Sequence, residues 1–532
     1  MRDRGRTPRR ALLALGGLGM ALACPSAAGA QTITIGLAAP ANTVDPHFYN
    51  GTPTKALALH IFDRLVEQDA NNKLVPGLAL SWRPLAETTW EFRLRPGVRF
   101  SNGQPLVPED AAFTIERARD VPNSPGGFTG IVRQITRVEI VDPTTIRIHT
   151  SAAAPNLPND LSNLAIISKV VGEGATTEDY NTGKAAIGTG PFRLVRYSHG
   201  QGIDYERNND WWGPRPDWER ASFKYLPNAG ARSAALLSGA VDVIDAPSPN
   251  DLPRFSQNPD FKVYSHQGMR LIYLAPDQGG DDPSAFIIAI DGQKLARNPL
   301  RDQRVRHALS IAINRNALSE RVMQGTASPN GQWVPEGTYS YNPDVRVPPF
   351  DPDGAKTLLA EAGYPNGFRI TLHATNDSRP TDPITVQAVA QMWARIGVPT
   401  TVETMPAAPF SARSLKREFA MSLWGWGSNS GESGYALINV VNTPDRARGT
   451  GAYNRAWYSN PTVDALTSKA MSTLDADARE ALLREAVGVA MNDVGFIPLY
   501  QLRNFWVARK GVVYEASGHE RTNAMAARIA RP

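Results

Sequence analysis

Cysteine is almost absent: Cys24 is the only one in 532 residues. No intramolecular disulfide is available, so packed cores rather than cross-links must hold this chain. Long apolar runs are missing too. The stretch Ala11 to Ala23 is punctuated by glycines and the run Ala285 to Ile290 is short, whereas a membrane-spanning helix takes about 20 apolar residues in succession. A phosphate-gripping loop is absent, because Gly183 and Lys184 are followed by Ala185 and the motif needs Ser or Thr there and a glycine upstream. ATP hydrolysis is therefore not expected. The hydrolase elbow Gly-x-Ser-x-Gly is absent as well, Gly427 to Gly431 having the wrong order. None of the eight histidines lies within a helical turn of another, so no zinc motif is written here. Neither a metal nor a cofactor is expected, and no catalytic residue stands out.

Charge of one sign is also scarce. Residues 1–30 hold five arginines against one acid, a surplus of four that leaves +1 of the formal +5 for the rest. The basic character is a tail effect, and no nucleic-acid partner is implied. That tail has the layout of a secretory signal: a basic start, an apolar centre, then Ala28, Gly29 and Ala30 before Gln31. Residues 1–30 are expected to be removed, leaving a soluble exported protein. Arg9 and Arg10 before Ala11, Leu12 and Leu13 resemble a twin-arginine signal with Pro8 in place of Ser or Thr; ordinary export is the alternative. Ala21 to Cys24 partly resembles a lipid-attachment box, a competing route to the one ending at Ala30.

What is present is the pattern of a mixed fold. The composition, 42% hydrophobic and 20% charged over this length, predicts two or three domains. Ile33, Ile35 and Leu37 alternate with small or polar residues, as do Trp90, Phe92 and Leu94 with a continuation to Val98 and Phe100, which is the period of a half-buried strand. Val138 and Ile140, then Ile146 and Ile148, flank a turn at Asp142-Pro143, and Phe192 to Tyr197 and Ile203 to Glu206 read as further strands. Pro108 with Glu109 and Asp110 starts a helix. Helical spacing recurs from Val305 to Ile313 and from Ala388 to Ile396. Strands and helices so mixed imply an α/β or α+β architecture. Phe419, Met421 and Leu423 lead into Trp424-Gly425-Trp426-Gly427, where the rings either line a cleft beyond a strand end or fill a core.

Several segments together resemble the family 5 extracellular solute-binding proteins, the dipeptide, oligopeptide and nickel receptors of ABC transporters. They are Val44-Asp45-Pro46, Ile61 to Val66, Leu74 to Ala79, Ser81-Trp82, the block "WEFRLRPGVRFSNGQPLVPED" from Trp90, Gly188 to Phe192, "NNDWWG" from Asn208, "DQRVRHALSIAINR" from Asp302 and "AKTLLAEAGYPNG" from Ala355. The resemblance implies an α/β, two-lobed periplasmic-binding-protein fold of type II with three subdomains. Residues 31–273 are expected to form lobe I, with an inserted subdomain at about 61–185. Residues 274–496 are expected to form lobe II, and residues 497–532 to return to lobe I. Crossings between lobes are expected near Tyr273 to Pro276 and Ile497 to Tyr500.

The resemblance also implies a function: capture of a short peptide or peptide-like solute between the lobes by a monomer, and delivery to a membrane permease served by a separate ATPase. In dipeptide receptors an Arg-Pro arginine grips the ligand carboxylate and an aspartate after Gly-Trp-x-x grips its ammonium. Arg379-Pro380 matches the first; Gly425, Trp426, Gly427, Ser428 and Asn429 match the second with an amide for the acid, and Glu432 is the compensating acid considered. Trp424 completes the expected ligand-binding set. A nickel complex, haem, an opine, glutathione or an oligosaccharide in the same fold stays open, as do a secreted hydrolase and a periplasmic chaperone or sensory partner.

Overall fold

The computed structural model describes residues 31–531 apart from Pro380 and Asn429; the expected signal, with Cys24, lies outside the described residues. The first strand, β1 (Thr32–Leu37), buries Ile33, Ile35 and Leu37, since alternate side chains of a strand share one face. A short helix, α1 (Thr52–Ala58), follows. The chain then leaves the main sheet and builds a separate four-stranded one from β2 (Ala79–Ala86), β3 (Thr89–Leu94), β4 (Ile135–Asp142) and β5 (Thr145–Thr150). The order is β2-β3-β5-β4, antiparallel throughout. Trp90, Phe92, Ile146 and Ile148 point into one core against helix α2 (Pro108–Arg117). The Asp110 carboxylate accepts the Val107 N–H at 2.9 Å, which caps that helix. Helix α3 (Leu157–Leu161) closes the unit. The expected continuation of the strand to Val98 and Phe100 fails: Pro96 has no N–H to donate, and Gly97, at φ +76, turns the chain.

Strands β6 (Phe192–Ser198), β7 (Gly202–Arg207), β8 (Arg220–Tyr225) and β9 (Val243–Asp245) then join β1 in the order β9-β1-β8-β7-β6, with β1 parallel to both neighbours. Next comes a 16-residue strand, β10 (Phe261–Pro276), and helix α4 (Gln303–Ile311). Strand β11 (Arg369–Thr375), helix α5 (Asp382–Ala394), β12 (Thr400–Met405), β13 (Met421–Gly427) and helix α6 (Ala476–Asn492) lead to the 13-residue strand β14 (Ile497–Arg509). Here the order is β12-β11-β13-β10, with β11 parallel to β12 and β13. Among the described residues the main sheet has twelve strands, two of them short additions at Ile287–Ile288 and Ala327–Pro329.

The architecture is an α/β, two-lobed one with an extra subdomain, and strands β10 and β14 run through both lobes. They pair antiparallel from Phe261↔Arg509 to Gln267↔Arg503, lose register, resume at Leu271↔Gln501 and Ile272↔Tyr500, and after a second, smaller shift end at Tyr273↔Pro498 and Leu274↔Ile497. β14 holds β9 on one side of this break, and β10 holds β13 on the other. The seam is Gly268 to Arg270 opposite Leu502. A Cβ on Gly268 would stand 2.7 Å from the Leu502 carbonyl oxygen, so only glycine allows this approach. The crossings expected at Tyr273 to Pro276 and Ile497 to Tyr500 lie in these same strands, within the second lobe just past the seam.

Each lobe has its own core. Ile33, Ile35, Phe223 and Trp506 belong to the first. The sheet of the second is covered on both faces, by Ile272, Leu274, Leu423 and Trp393 on one and by Leu271, Tyr273, Trp333 and Val487 on the other. The inserted subdomain is tied to the first lobe by Asp45, fully buried and held by Arg117 of α2 through bonds of 2.9 and 2.7 Å. Burial pushes the Asp45 carboxyl up, but Arg117 more than offsets this and the net shift is downward. Its stabilisation is thus complete above the usual carboxylate range and lost as pH falls through the depressed value. Arg117→Met should cost about 3 to 5 kcal/mol at pH 7, because it strands a buried charge, and much less at pH 3; urea denaturation at the two pH values measures the difference, and an equal cost at both contradicts the pairing.

Candidate functional site

Strands β11 and β13 run parallel, so Thr375 to Arg379 and Gly425 to Glu432 emerge together at one edge of the second lobe. Along β13 the side chains alternate. Gly425 lies opposite Ile272, and Trp424 and Trp426 lie opposite Tyr273 and Leu271 on the other face. The Arg379 guanidinium stands over Gly425, where a Cβ would come within 2.8 Å of Nη1. Its Nε and Nη2 donate to Asp382 at 2.8 and 2.7 Å, and the Thr375 hydroxyl donates to the same carboxylate at 2.8 Å. Two arms of the fork are therefore taken, and Nη1 faces Gly425.

The tryptophans are not brought to Arg379. Trp424 packs against Phe410 with ring centres 4.8 Å apart and donates from Nε1 to Ser422 Oγ at 2.8 Å. Trp426 stacks on Tyr435 at 5.1 Å and meets Tyr453 at 5.3 Å. Both rings border the second-lobe core and stay partly exposed. Both rings pack against this core from the face of β13 opposite Gly425. Beyond them, Gly427 lies beneath Arg270, whose guanidinium holds Glu520 at 3.0 and 3.1 Å. Asn429 lies outside the described residues.

Ser428 and Glu432 clasp one another, the Ser428 hydroxyl donating to the Glu432 carbonyl at 2.7 Å and accepting its N–H at 3.1 Å. The Glu432 carboxylate is buried and engaged on both oxygens by Arg479 of α6, at 2.6 and 2.7 Å, with Asn156 donating a third bond at 2.9 Å. The charge of Glu432 is thus already neutralised by Arg479, with which any ligand ammonium would share it. Asn156 borders the inserted subdomain, so this ion pair also joins that unit to the second lobe.

Facing this edge, the first lobe offers the carboxyl ends of β1 and β9. Leu37, Ala38, Asp245, Ala246 and Trp506 line a cavity of about 380 Å³ there, the place where open α/β sheets receive ligands. Asp245 accepts the Ala38 N–H at 2.8 Å and the Thr522 hydroxyl at 3.2 Å, and burial pushes its carboxyl up. Lys55 and Arg521 are buried at a second, smaller cavity between the lobes. Sequence reasoning missed these three. Only Asp245, closing a parallel strand, carried a local signal. The buried histidines serve packing: His60 stacks on Tyr205 at 4.7 Å and His47 bonds the Ala165 carbonyl at 2.8 Å, each pushed down to about 4 by burial. Paired charges, glycines and rings thus stand at two facing strand ends, groups of the kind that can bind and orient a small molecule.

The family model of bacterial extracellular solute-binding proteins, family 5, matches residues 73–447. This chain belongs to that family. The solute-binding protein is 28% identical over 476 residues to heme-binding protein A of Haemophilus influenzae, covering 84% of this chain and 83% of that one. It is 28% identical over 474 residues to the dipeptide-binding protein of Escherichia coli, covering 84% of each. Among solved structures, HbpA2 from Haemophilus parasuis superposes with a TM-score of 0.79 at 26% identity over 94% of this chain and 100% of that one. The two-lobed fold with its inserted subdomain is therefore that of the family, and its members are solute-binding components of ABC importers.

Arg479→Leu should destabilise this solute-binding protein by about 3 to 5 kcal/mol, because Glu432 is left buried without a partner. The double variant Arg479→Leu, Glu432→Leu should recover most of that loss. Chemical denaturation of the three proteins decides it: a double variant as unstable as the single one contradicts the ion pair.

Proposed function

We propose that the protein, freed of residues 1–30 in the periplasm, acts as a monomer that closes on a short peptide or peptide-like solute without turning it over, and hands it to a membrane permease served by a separate ATPase. The observation that carries this reading is the opposition of two sets of strand carboxyl ends, β1 with β9 and β11 with β13, across the seam in β10 and β14. The relative named as a dipeptide-binding protein supports the choice of solute.

In this reading Arg379 offers Nη1 to the solute carboxylate while Asp382 fixes the guanidinium plane. Gly425 and Gly427 let the solute approach the backbone, Trp424 and Trp426 supply apolar contact, Ser428 and Asn429 supply neutral hydrogen-bonding groups, and Glu432 shapes the loop through Arg479. A second reading, a non-peptide solute in the same cleft, is favoured by the relative named as a heme-binding protein; haem titration followed by its visible absorbance separates the two.

Truncation by Arg379→Ala should weaken dipeptide binding by about 2 to 5 kcal/mol, since the ligand charge loses its partner. Arg379→Lys should recover little, because an ammonium cannot donate to Asp382 and the solute in one plane. Calorimetry with a free dipeptide measures both. Wild-type affinity in the Ala variant, with haem or another non-peptide solute bound instead, would replace the peptide reading by the second.

A further inference from the structure

The charges nearest the seam do not balance. Lys55, Arg64, Arg270 and Arg521 stand close together where α1, the segment Gly518 to Arg521 and the end of β13 meet. Glu67 holds Arg64 at 2.7 Å and Glu520 holds Arg270. Lys55 and Arg521 have no carboxylate within ion-pair distance among the described residues. Both are more than nine-tenths buried, at 5% and 6% exposure. Their bonds go to neutral amides: Lys55 Nζ donates to Asn163 Oδ1 at 3.2 Å, and Arg521 Nη2 donates to Gln68 Oε1 at 2.6 Å and Asn163 Oδ1 at 3.5 Å. Two buried cations without a directly bonded counter-charge are costly; the acid whose charge reaches Arg521, Glu67, is itself paired with Arg64. Where a chain keeps such a cost, a ligand is the usual source of the missing charge.

The cations sit at a cavity. A space of about 30 Å³, enough for a small polar group, is bounded by Lys55 and Arg521 on the first-lobe side and by Gly427 and Ser428 on the second, with Met269 and Arg270 of the seam between; the Glu520 carboxylate also borders it, bonded on both oxygens to Arg270. Gly427 and Ser428 continue directly from Gly425, which Arg379 covers. A solute held at Gly425 and extended along the strand end toward Gly427 reaches the cavity.

We infer that Lys55 and Arg521 form an anion subsite on the first lobe, and that the solute is a peptide-like compound with an acidic group, such as a side-chain carboxylate, beyond the one offered to Arg379. This rests on the peptide reading of the cleft. The subsite also makes the solute bridge the lobes, with one carboxylate on each, so that closure assembles both charge partners.

Titration follows the same geometry. Burial, then Arg521 and Arg64, pushes Lys55 down to about 7. Burial and Arg64 push Arg521 down to about 9 against an opposing pull from Glu67, and His519 beside it, near His266, is pushed down to about 3 by burial, Arg521 and Arg64. A bound carboxylate favours protonated Lys55. Affinity for an acidic solute therefore falls as pH rises through about 7, and binding just above that pH takes up a proton.

The test uses the mature chain, the variants Lys55→Gln and Arg521→Gln, and three probes: the dipeptide Ala-Glu, its uncharged isostere Ala-Gln, and glutarate. Wild type should bind Ala-Glu about tenfold more tightly than Ala-Gln. Its binding heats at pH 7.5 in two buffers of different ionisation enthalpy should show proton uptake for Ala-Glu. Each variant should lose the preference while keeping its affinity for Ala-Gln, and Lys55→Gln should also lose the proton uptake. Glutarate should raise the Tm of wild type and of neither variant, which keeps the subsite testable if no dipeptide binds and the peptide reading falls. If one variant fails to fold, the other carries the affinity and Tm comparisons. Equal wild-type affinity for the two dipeptides, or glutarate acting equally on wild type and variants, overturns the subsite.

Discussion

Everything in this molecule hangs on two strands that hydrogen-bond to each other through both lobes. Because β10 and β14 pair along nearly their whole length, the lobes share one sheet and cannot separate without breaking it. Because the pairing slips at Gly268 to Arg270 and again just past Ile272, the sheet has a short stretch where bending breaks few bonds. That combination gives a receptor a fixed axis and two separate cores. The carboxyl ends of the parallel strands in each lobe then face one another by construction, since each lobe's parallel strands are laid against one of these two long strands.

Electrostatics divides the cleft into parts that are already satisfied and a part that is not. Arg379 with Asp382, Glu432 with Arg479 and Arg270 with Glu520 are pairs closed within the protein. They hold side chains and loops in place more than they attract a solute, for a neutralised pair offers only its spare donors. Lys55 and Arg521 lack such partners, and they lie on the lobe opposite Arg379. A solute that supplies negative charge to the first lobe while touching the second gains differentially from the closed form, which is the only kind of contact that shifts an opening equilibrium.

Much of the fold was legible in the chain. Strands β1, β3, β4 and β5 and helix α2 follow from local alternation, a proline start and a turn at Asp142-Pro143, all of which act within a few residues. The motif blocks carried the two-lobed plan. What the chain did not show is long-range. Glu432 looks free until Arg479, distant in sequence, reaches it. Lys55, in the segment Thr52–Ala58, reads as an ordinary exposed lysine until the residues around Arg521 cover it. The two tryptophans of β13 alternate with Gly425, yet which face meets the cleft depends on how β10 and β11 flank the strand. The seam escaped notice because a register break in a continuous strand leaves the apolar pattern intact.

The central claim is that the lobes move about that seam when solute fills the cleft. Small-angle X-ray scattering of the mature protein, with and without saturating dipeptide, tests it most directly. The account predicts a smaller radius of gyration with solute than without. Identical scattering curves at saturation, with binding confirmed by calorimetry in the same buffer, would contradict it.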